Sequence, residues 1–462
     1  MELGIGGGAY KTEGPLAVQE CLNMYPQVSE TATRSRMILK RFPGLTVRAD
    51  LGGACNGASV MNGIPYFLMG NALCSFNEFG SATLIGNIYG GRVSMANNGV
   101  TMVIVNGVKG WTLTGTTLTQ ITDADFLPAD LVFYFDTYFV FKRTGSNEFF
   151  ISAAGDATAY NALDFATKEG GPGKIISMIV NHRDLVLLGE ETIEYWRNTG
   201  NADFPFERQE GTFQERGCAA LNCVAEMDNT YYFLGEDLII YKAEQYRPTR
   251  ISHHALEQWL SAQTKEDIKS ALGFAFTHQG HYWYALSLPQ GTWVYDSTTS
   301  QLSQEAQWFQ LKSENRNNWR VTDVVSVFGK TWCGGSDGNV YELDATKYTE
   351  NEETMTCRRA TRTYFKERER IGCSRLELVV STGLGHPHQP GVTQGLVWLE
   401  ISKDGGITWG NPRIRPLDIG NYKQKLIWRR NGESYDWVYR WTLTDPVDVS
   451  FIEAYADYGI GE

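Results

Sequence analysis

The chain has 462 residues, 42% hydrophobic and 20% charged, and this balance excludes an intrinsically disordered protein. Its net charge of -12 argues against a nucleic-acid clamp, because neutralising phosphates needs a basic face. With 48 glycines and 13% aromatic residues, the composition favours short strands joined by tight turns, and therefore an all-β protein.

Residues 1–45 form no regular hydrophobic pattern and predict an extended arm. The start of the chain has no basic segment followed by an apolar run, so no signal peptide is expected. The glycines of Gly4–Gly8 lack the flanking strand, helix and lysine of a phosphate loop, and we interpret them as a flexible terminus. Because such an arm cannot build a core alone, we predict that it lies across another surface, such as that of a neighbouring chain, with candidate contacts at Tyr25, Pro26, Arg41 and Phe42.

Residues 46–355 repeat a pattern of short apolar runs separated by turn residues. Val93–Ile121 illustrates it, because Asn-Asn-Gly, Asn-Gly and Thr-Gly turns divide this stretch into four strands. Such windows of roughly 30 to 40 residues recur along the chain and predict a β-propeller. We count seven windows, and six blades remain possible because one window could be split where the ring closes.

Two segments interrupt this pattern. Near residues 253–272 the apolar spacing predicts a helical insertion, with Ser252 as its N-cap, or Thr264 as the cap of a second short helix. A long polar loop before Cys218 contains Asp-Phe-Pro-Phe, and Phe204 and Phe206 could form a partner contact or be buried beneath the ring.

Residues 356–462 alternate in a way that predicts a C-terminal β-sandwich. Its charge-dense beginning, Arg358–Arg375, could bind nucleic acid, but an exposed strand facing water or a neighbouring subunit is favoured. Metal and cofactor sites are not predicted. The eight cysteines are interpreted as reduced, buried side chains, and His386 and His388 as part of a solvated loop.

The octet Ser402–Trp409 reads S-x-D-x-G-x-T-W and resembles the Asp-box of sialidases. That motif is a hairpin turn in which Ser and Asp cap the backbone, glycine takes a positive φ and Trp packs inward. The octet occurs once, outside the propeller, and no motif supplies the arginine cluster and Tyr–Glu pair of a sialidase. We therefore predict a structural turn, formed by Ser402, Asp404, Gly406 (or Gly405) and Trp409.

Several segments resemble, in order, a family of short-tailed phage proteins called packaged DNA stabilisation proteins, tail hubs or nozzles. They are LNMYPQ (22–27), FPGL (42–45), GRVSMA (91–96), TIEYWRNTG (192–200), ERGCA (215–219), WVYDSTTSQ (293–301) and LIWRRNG (426–432), the last followed by Arg440. The matches extend over nearly the whole chain.

The resemblance implies a hexameric structural protein of the virion and not an enzyme. The hexamer would close the DNA exit channel below the portal–adaptor complex, retain the packaged DNA and carry fibre, spike or needle proteins. It would assemble in the host cytoplasm, without a membrane span, and DNA would pass without sequence-specific binding. The alternative is a glycan-binding or sialidase-like propeller, since exposed aromatic side chains can stack on sugars.

Overall fold

The structure is a computed structural model, and it describes residues 1–11, 18–29, 35–382, 395–418 and 423–460. Nearly all regular elements in these ranges are strands, and the exceptions are three short helices. None of these helices is long and apolar enough to cross a membrane. The prediction of an all-β chain with a propeller and a C-terminal sandwich is confirmed.

Six antiparallel units, blades 1 to 6, are each built from four consecutive strands, and blade 6 is part of a larger sheet. Blade 1 contains Cys55–Met61, Ile64–Met69, Ala72–Phe76 and Ala82–Asn87. Blade 2 contains Ser94–Asn97, Thr101–Val105, Gly110–Thr114 and Thr117–Gln120. Blade 3 contains Ala129–Phe135, Tyr138–Arg143, Glu148–Ala153 and Asp156–Thr167. Blade 4 contains Ile175–Asn181, Asp184–Gly189, Ile193–Asn198 and Phe206–Arg208. Blade 5 contains Ala225–Met227, Thr230–Leu234, Ile240–Glu244 and Arg247–Arg250. Blade 6 contains Leu272–His278, His281–Leu288, Gly291–Asp296 and Trp308–Leu311.

A seventh four-stranded unit closes the ring with a strand from the beginning of the chain. Blade 7 combines Val321–Val327, Lys330–Gly335 and Asn339–Asp344 with Gly44–Asp50, which pairs antiparallel to the third of these. Two short strands, Thr349–Glu350 and Glu353–Thr354, extend the same sheet. Of the two blade numbers left open by the sequence, six and seven, the topology shows seven.

Tight turns give the blades their shape. The first hairpin of blade 1 turns at Asn62 and Gly63, both with positive φ (52° and 76°), as a type I′ turn requires. The four strands predicted in blade 2 are present. Its Asn-Gly turn is wider than the sequence suggests, because Asn106 Oδ1 accepts hydrogen bonds from the amides of Val108 (3.0 Å) and Lys109 (2.8 Å).

Apolar side chains fill the space between neighbouring blades. The ring of Phe149 in blade 3 lies edge-on to Trp196 of blade 4, with centroids 5.2 Å apart. Phe76 of blade 1 contacts Trp332 of blade 7 at 6.1 Å, across the closure of the ring. Each such buried side chain contributes about 1.5–3 kcal/mol to stability.

The helical insertion occupies the connection to blade 6, as His254–Ser261 and Lys265–Lys269. Thr264 caps the second helix as predicted, accepting the Asp267 amide at 3.1 Å. The first helix is capped by His253, and Ser252 instead donates to Glu257 at 2.6 Å. A third helix, Ser297–Ser303, is absent from the prediction and begins after its cap Asp296.

The sandwich consists of two sheets. The first sheet has the strand order Gln424–Arg429, Ile371–Thr382, Val449–Ile460, Met37–Arg41 and Met24–Val28, with Glu2–Leu3 and Glu433–Ser434 at its margins. The second sheet continues blade 6 outward through Cys21–Leu22, Cys357–Ala360, Asp436–Leu443, Gly395–Ser402 and Arg413–Leu417, and Tyr364–Phe365 pairs beside it. Propeller and sandwich thus share a ten-stranded sheet.

The prediction that residues 1–45 form an extended arm lying across another chain needs correction. We call the described residues between 1 and 50 the N-terminal strap. Its strands lie in both sandwich sheets and in blade 7, and a small hairpin pairs Tyr10–Lys11 with Val18–Gln19. The division of the chain at residues 45 and 355 stays a prediction, but the strap contacts this chain's own two domains.

The start of the chain is packed around Gly8, although Gly4 is exposed, so the expected flexible terminus is wrong for this part. Leu3, Ile5 and Ala9 are buried, and the Ala9 amide donates to the Trp308 carbonyl at 2.6 Å. Only glycine fits at position 8, because a Cβ there would lie 2.3 Å from the Trp308 carbonyl oxygen.

We expect Gly8→Ala to lower the free energy of unfolding in urea by about 1–3 kcal/mol, since its methyl group forces two backbones apart. Gly4→Ala is the matched control, because nothing lies within 4 Å of a Cβ at that position. The control should change stability by less than about 0.5 kcal/mol. Equal stability of the two variants would contradict a packed terminus.

Candidate functional site: the junction of strap, propeller and sandwich

Asn23 lies where the strap, blade 6 and the sandwich meet. Its φ of 51° is a left-handed conformation that asparagine tolerates better than most residues. Its side-chain amide donates to the carbonyls of Lys312 (2.9 Å) and Thr356 (2.8 Å), and its Oδ1 accepts the Lys312 amide at 3.0 Å. One side chain therefore joins the segment after blade 6 to the segment entering the sandwich.

The two strap aromatics predicted as partner contacts are buried inside this chain. Tyr25 lies edge-on to Trp283 of blade 6 at 5.2 Å, and Phe42 lies 5.1 Å from the same ring. Phe42 also contacts Trp319 at 5.6 Å. Burial, and then the Asp296 and Asp448 carboxylates, raise the pKa of Tyr25, so it stays an uncharged core residue.

Pro26 and Arg41 are buried as well. The Pro26 carbonyl accepts a hydrogen bond from Thr299 Oγ1 at 3.0 Å, in the third helix. Arg41 donates to four backbone carbonyls of the propeller–sandwich linker and a sandwich loop, those of Tyr348, Met355, Asp445 and Val447.

The expectation that Tyr25, Pro26, Arg41 and Phe42 contact a partner is therefore wrong for the folded chain. Their partners are core rings, backbone carbonyls and the Thr299 hydroxyl, all more than 240 residues away in sequence, which no local pattern predicts.

Arg359, near the beginning of the charge-dense segment, also binds the strap. Arg359 is fully buried, and its guanidinium donates to the carbonyls of Gly8 (3.0 Å), Gly6 (3.4 Å) and Glu20 (3.4 Å). Burial is the main cause that lowers the pKa of Arg359. Asn23 and Arg359 were not among the predicted site residues, although Asn23 lies in the LNMYPQ segment and Arg359 in the charge-dense segment.

The loop with Phe204 and Phe206 packs against the propeller instead of projecting as a contact tip. Phe206 is buried and its ring lies 5.7 Å from Phe135, while half-buried Phe204 lies 5.9 Å from Phe149. Of the two interpretations left open by the sequence, burial beneath the ring is the one that the structure favours.

The octet at 402–409 has the geometry of a capped hairpin turn. The Asp404 carboxylate accepts the amides of Ile407 (3.0 Å) and Thr408 (2.9 Å), and the Ser402 hydroxyl accepts the Gly406 amide (2.8 Å). Gly406 has a φ of 97°. Burial alone would raise the pKa of Asp404, but hydrogen bonds from Ser402, Thr408 and Ile407 outweigh it and lower the pKa to about 2.

Trp409 differs in detail from the predicted inward packing. It is half-buried, and the Arg440 guanidinium stacks 3.8 Å from its ring centroid. The Asp404 carboxylate is occupied by its own turn, so the octet supplies no acid or base to a sugar.

One buried cluster brings together the residue types of a sialidase site. Arg320 donates to Glu350 (3.1 Å), Asp337 (2.8 Å) and Tyr341 (3.2 Å), and also bonds Glu353. The side chains of Arg320 and Glu350 are each only 3% exposed, which keeps a sugar from reaching them. The cluster braces blade 7 against the linker.

The described residues contain no group of three or more His, Cys, Asp or Glu able to hold a metal, and His386 and His388 lie outside those residues. All eight cysteines are buried and free. The Sγ atoms of Cys218 and Cys223 lie 3.4 Å apart, a contact that the sequence spacing did not suggest.

One groove of about 570 Å³ lies on the first sandwich sheet, away from the propeller loops. Its lining holds no aromatic ring on which a sugar could stack, and consists of Gln27, Val28, Ser29, Ser35, Ile38, Lys40, Ser381, Lys423, Ser450, Ile452 and Glu453.

Comparison with known proteins gives matches to both domains. Residues 2–348 match the family described as "Bacteriophage P22 Gp10, beta-propeller", and residues 356–459 match "Bacteriophage P22 Gp10, beta-sandwich". The tail hub protein gp10 of Salmonella phage P22 is 24% identical over 424 residues, which is 85% of each protein.

Solved structures with some similarity include BamB from Moraxella catarrhalis, at 9% identity and a TM-score of 0.40, covering 71% of this chain and 97% of BamB. Raptor from Chaetomium thermophilum has 10% identity and a TM-score of 0.42, covering 66% of this chain and 29% of Raptor.

We expect Arg41→Met to lower the free energy of unfolding by about 3 kcal/mol, because methionine fills the space but donates no hydrogen bond to the four carbonyls. Arg36→Met is the control, since Arg36 lies exposed in the same hairpin. Urea unfolding measures both changes. A loss below about 1 kcal/mol for Arg41→Met would show that Arg41 does not hold the junction.

Asp404→Asn should destabilise the sandwich by about 1 kcal/mol at neutral pH, a value reduced by solvent screening at the surface. The pKa of Asp404 in the folded protein lies below its ordinary value of 3.8. The wild-type carboxylate therefore contributes its full stability above about pH 4, and the difference between wild type and variant disappears as the pH falls towards 2. Unfolding midpoints between pH 2 and 7 test this. Asp203→Asn, on an exposed loop, is the control, and a pH-independent difference for Asp404→Asn would contradict the prediction.

Proposed function

The chain belongs to the family of the phage P22 tail hub protein gp10, and we propose that six copies of it form the nozzle of a short phage tail. It is a phage tail structural protein and therefore a component of the virion. The observation that carries the proposal is the match of both domains, in order, with only seven residues between the matched ranges.

In this proposal the ring docks below the portal–adaptor complex, closes the DNA exit channel and retains the packaged genome. Its outer parts carry fibre, spike or needle proteins, and the subunits assemble in the host cytoplasm. The strap supports a mechanical role. Because its strands lie in both sandwich sheets and in blade 7, relative movement of propeller and sandwich would break main-chain hydrogen bonds.

The proposed role requires no catalysis, and we infer that the protein is not an enzyme. The one motif that suggested a glycosidase uses its carboxylate within its own turn, and the Arg–Tyr–Glu cluster is buried in blade 7. Neither place therefore offers a sugar an accessible acid or base, which disfavours the sialidase-like alternative.

The acidic charge fits a channel for DNA. Six copies of net charge -12 carry -72, and an acidic lumen would repel phosphates and let the genome slide. The surface potential of the ring's lumen tests this part of the proposal, and a net-basic lumen would contradict it.

The decisive measurement is the mass of the portal–adaptor complex with and without the purified protein. We expect the added mass to be that of six chains of 51.8 kDa, about 311 kDa. The portal without its adaptor is the control, and it should gain no mass. Failure of the complete complex to gain a ring, or a ring of another number, would contradict the proposal.

A further inference from the structure

Charge is distributed unevenly between the two parts of this chain. Residues 1–355 carry 26 Lys and Arg against 40 Asp and Glu, a net charge of -14. Residues 356–462 carry 15 against 13, a net charge of +2. A chain with one acidic and one slightly basic part can attract a second copy of itself in a head-to-tail orientation.

The positive charge of the sandwich concentrates where its two sheets meet. We call Arg413, Arg415, Arg429 and Arg430 the basic edge. Arg413 donates to the Arg429 carbonyl at 2.6 Å, and Arg415 donates to the Ile427 carbonyl at 2.8 Å, so the first two arginines lie against the strand that ends at the third. Burial is the main cause that lowers the pKa of Arg413, and the like charge of Arg415 lowers it further.

The basic edge lacks a carboxylate partner of its own. Within the ranges that the structure describes, none of its four guanidinium groups forms an ion pair, whereas the nearby Lys425 is paired with Glu377 at 2.9 Å. Arg429 and Arg430 are exposed. In a protein of net charge -12, four clustered arginines without a counter-charge favour an acidic partner outside the chain.

Trp398 and Ile414 are directly opposite each other in neighbouring strands and are 37% and 42% exposed. Because side chains alternate along a strand, this apolar pair lies on the outer face of the second sheet, whereas Arg413 and Arg415 face the first sheet. The pair is therefore not part of the basic edge. Since an acidic chain repels the DNA backbone, a protein partner is favoured over nucleic acid for the basic edge.

We propose that the basic edge is the surface through which one copy of this chain binds the acidic propeller of the next copy. A contact between two different surfaces repeats around a closed ring, as the proposed nozzle requires. This inference rests on the proposed function and adds to it the surface that joins the subunits and the charge that selects the partner.

The test uses the full chain and compares two double variants with the same change in charge. Arg429→Glu with Arg430→Glu reverses the exposed half of the basic edge without removing Arg413 or Arg415. Lys366→Glu with Arg368→Glu is the control, since both side chains are exposed at the start of the sandwich, outside the basic edge and the propeller. We expect the edge variant to reduce the six-copy fraction on the portal–adaptor complex at least about tenfold and the control to leave it unchanged.

Cross-linking identifies the opposing surface. A carbodiimide joins amines to carboxylates in contact, and mixing isotopically light and heavy chains separates links between copies from links within one. We expect Lys425 of one copy to join Asp or Glu residues of the other copy's propeller. Links from Lys425 only to the other copy's sandwich would overturn the inference.

The remaining outcomes separate the two proposals. If rings form equally well with the edge variant, the inference fails and the nozzle proposal survives; if the wild-type chain forms no ring on the complex, both fail. Fluorescence anisotropy with a short DNA duplex is the third measurement. Binding by the wild type that the edge variant loses while its rings persist would assign the edge to DNA and overturn the inference.

Discussion

The propeller closes only because a strand from the beginning of the chain completes its last blade. Gly44–Asp50 pairs along Asn339–Asp344, joining residues almost 300 positions apart in sequence. Without this strand, blade 7 would have three strands and an unpaired edge. Pairings this distant in sequence are slow to form, because the loop-closure entropy must be lost before the contacts are gained. The ring therefore depends on the strap being in place.

The strap reaches blade 7 from the sandwich, so the same segment also fixes the second domain. Between Cys21 and Arg41 it supplies one strand beside blade 6 and a hairpin on the first sandwich sheet. Asn23 and Arg41 hold this path through hydrogen bonds to carbonyls of the surrounding segments. The same strap therefore takes part both in closing the ring and in joining the propeller to the sandwich.

The sequence allowed prediction of the features that local chemistry decides. Seven windows with turn residues gave the blades, Thr264 gave a helix cap, and the Ser402 octet gave a capped turn. It failed where a residue's environment comes from distant sequence. Tyr25 and Phe42 were assigned to a partner because their segment does not alternate, but their neighbours, Trp283 and Trp319, belong to blade 6 and the segment that follows it.

The same limit explains the glycines at the start of the chain and the missed arginine. Gly8 looked flexible because nothing nearby in sequence restrains it, yet Trp308 and Arg359 enclose its backbone. Arg359 looked like one charge among many in a surface strand. A pattern of charge or glycine carries no information on which distant backbone will lie against it, and burial reverses the meaning of both residue types.

Burial also separates two uses of arginine in this protein. Inside, Arg320 is paired with three carboxylates, and the terminal nitrogens of Arg41 and Arg359 donate to backbone carbonyls. A buried charge left without partners would cost several kcal/mol, so such matching is a condition of folding. At the surface no such condition applies, and folding does not account for an excess of one charge in one place. Arg429 and Arg430 at the edge of the sandwich are of this second kind, and the proposed contact between copies would account for an exposed positive charge that folding does not require.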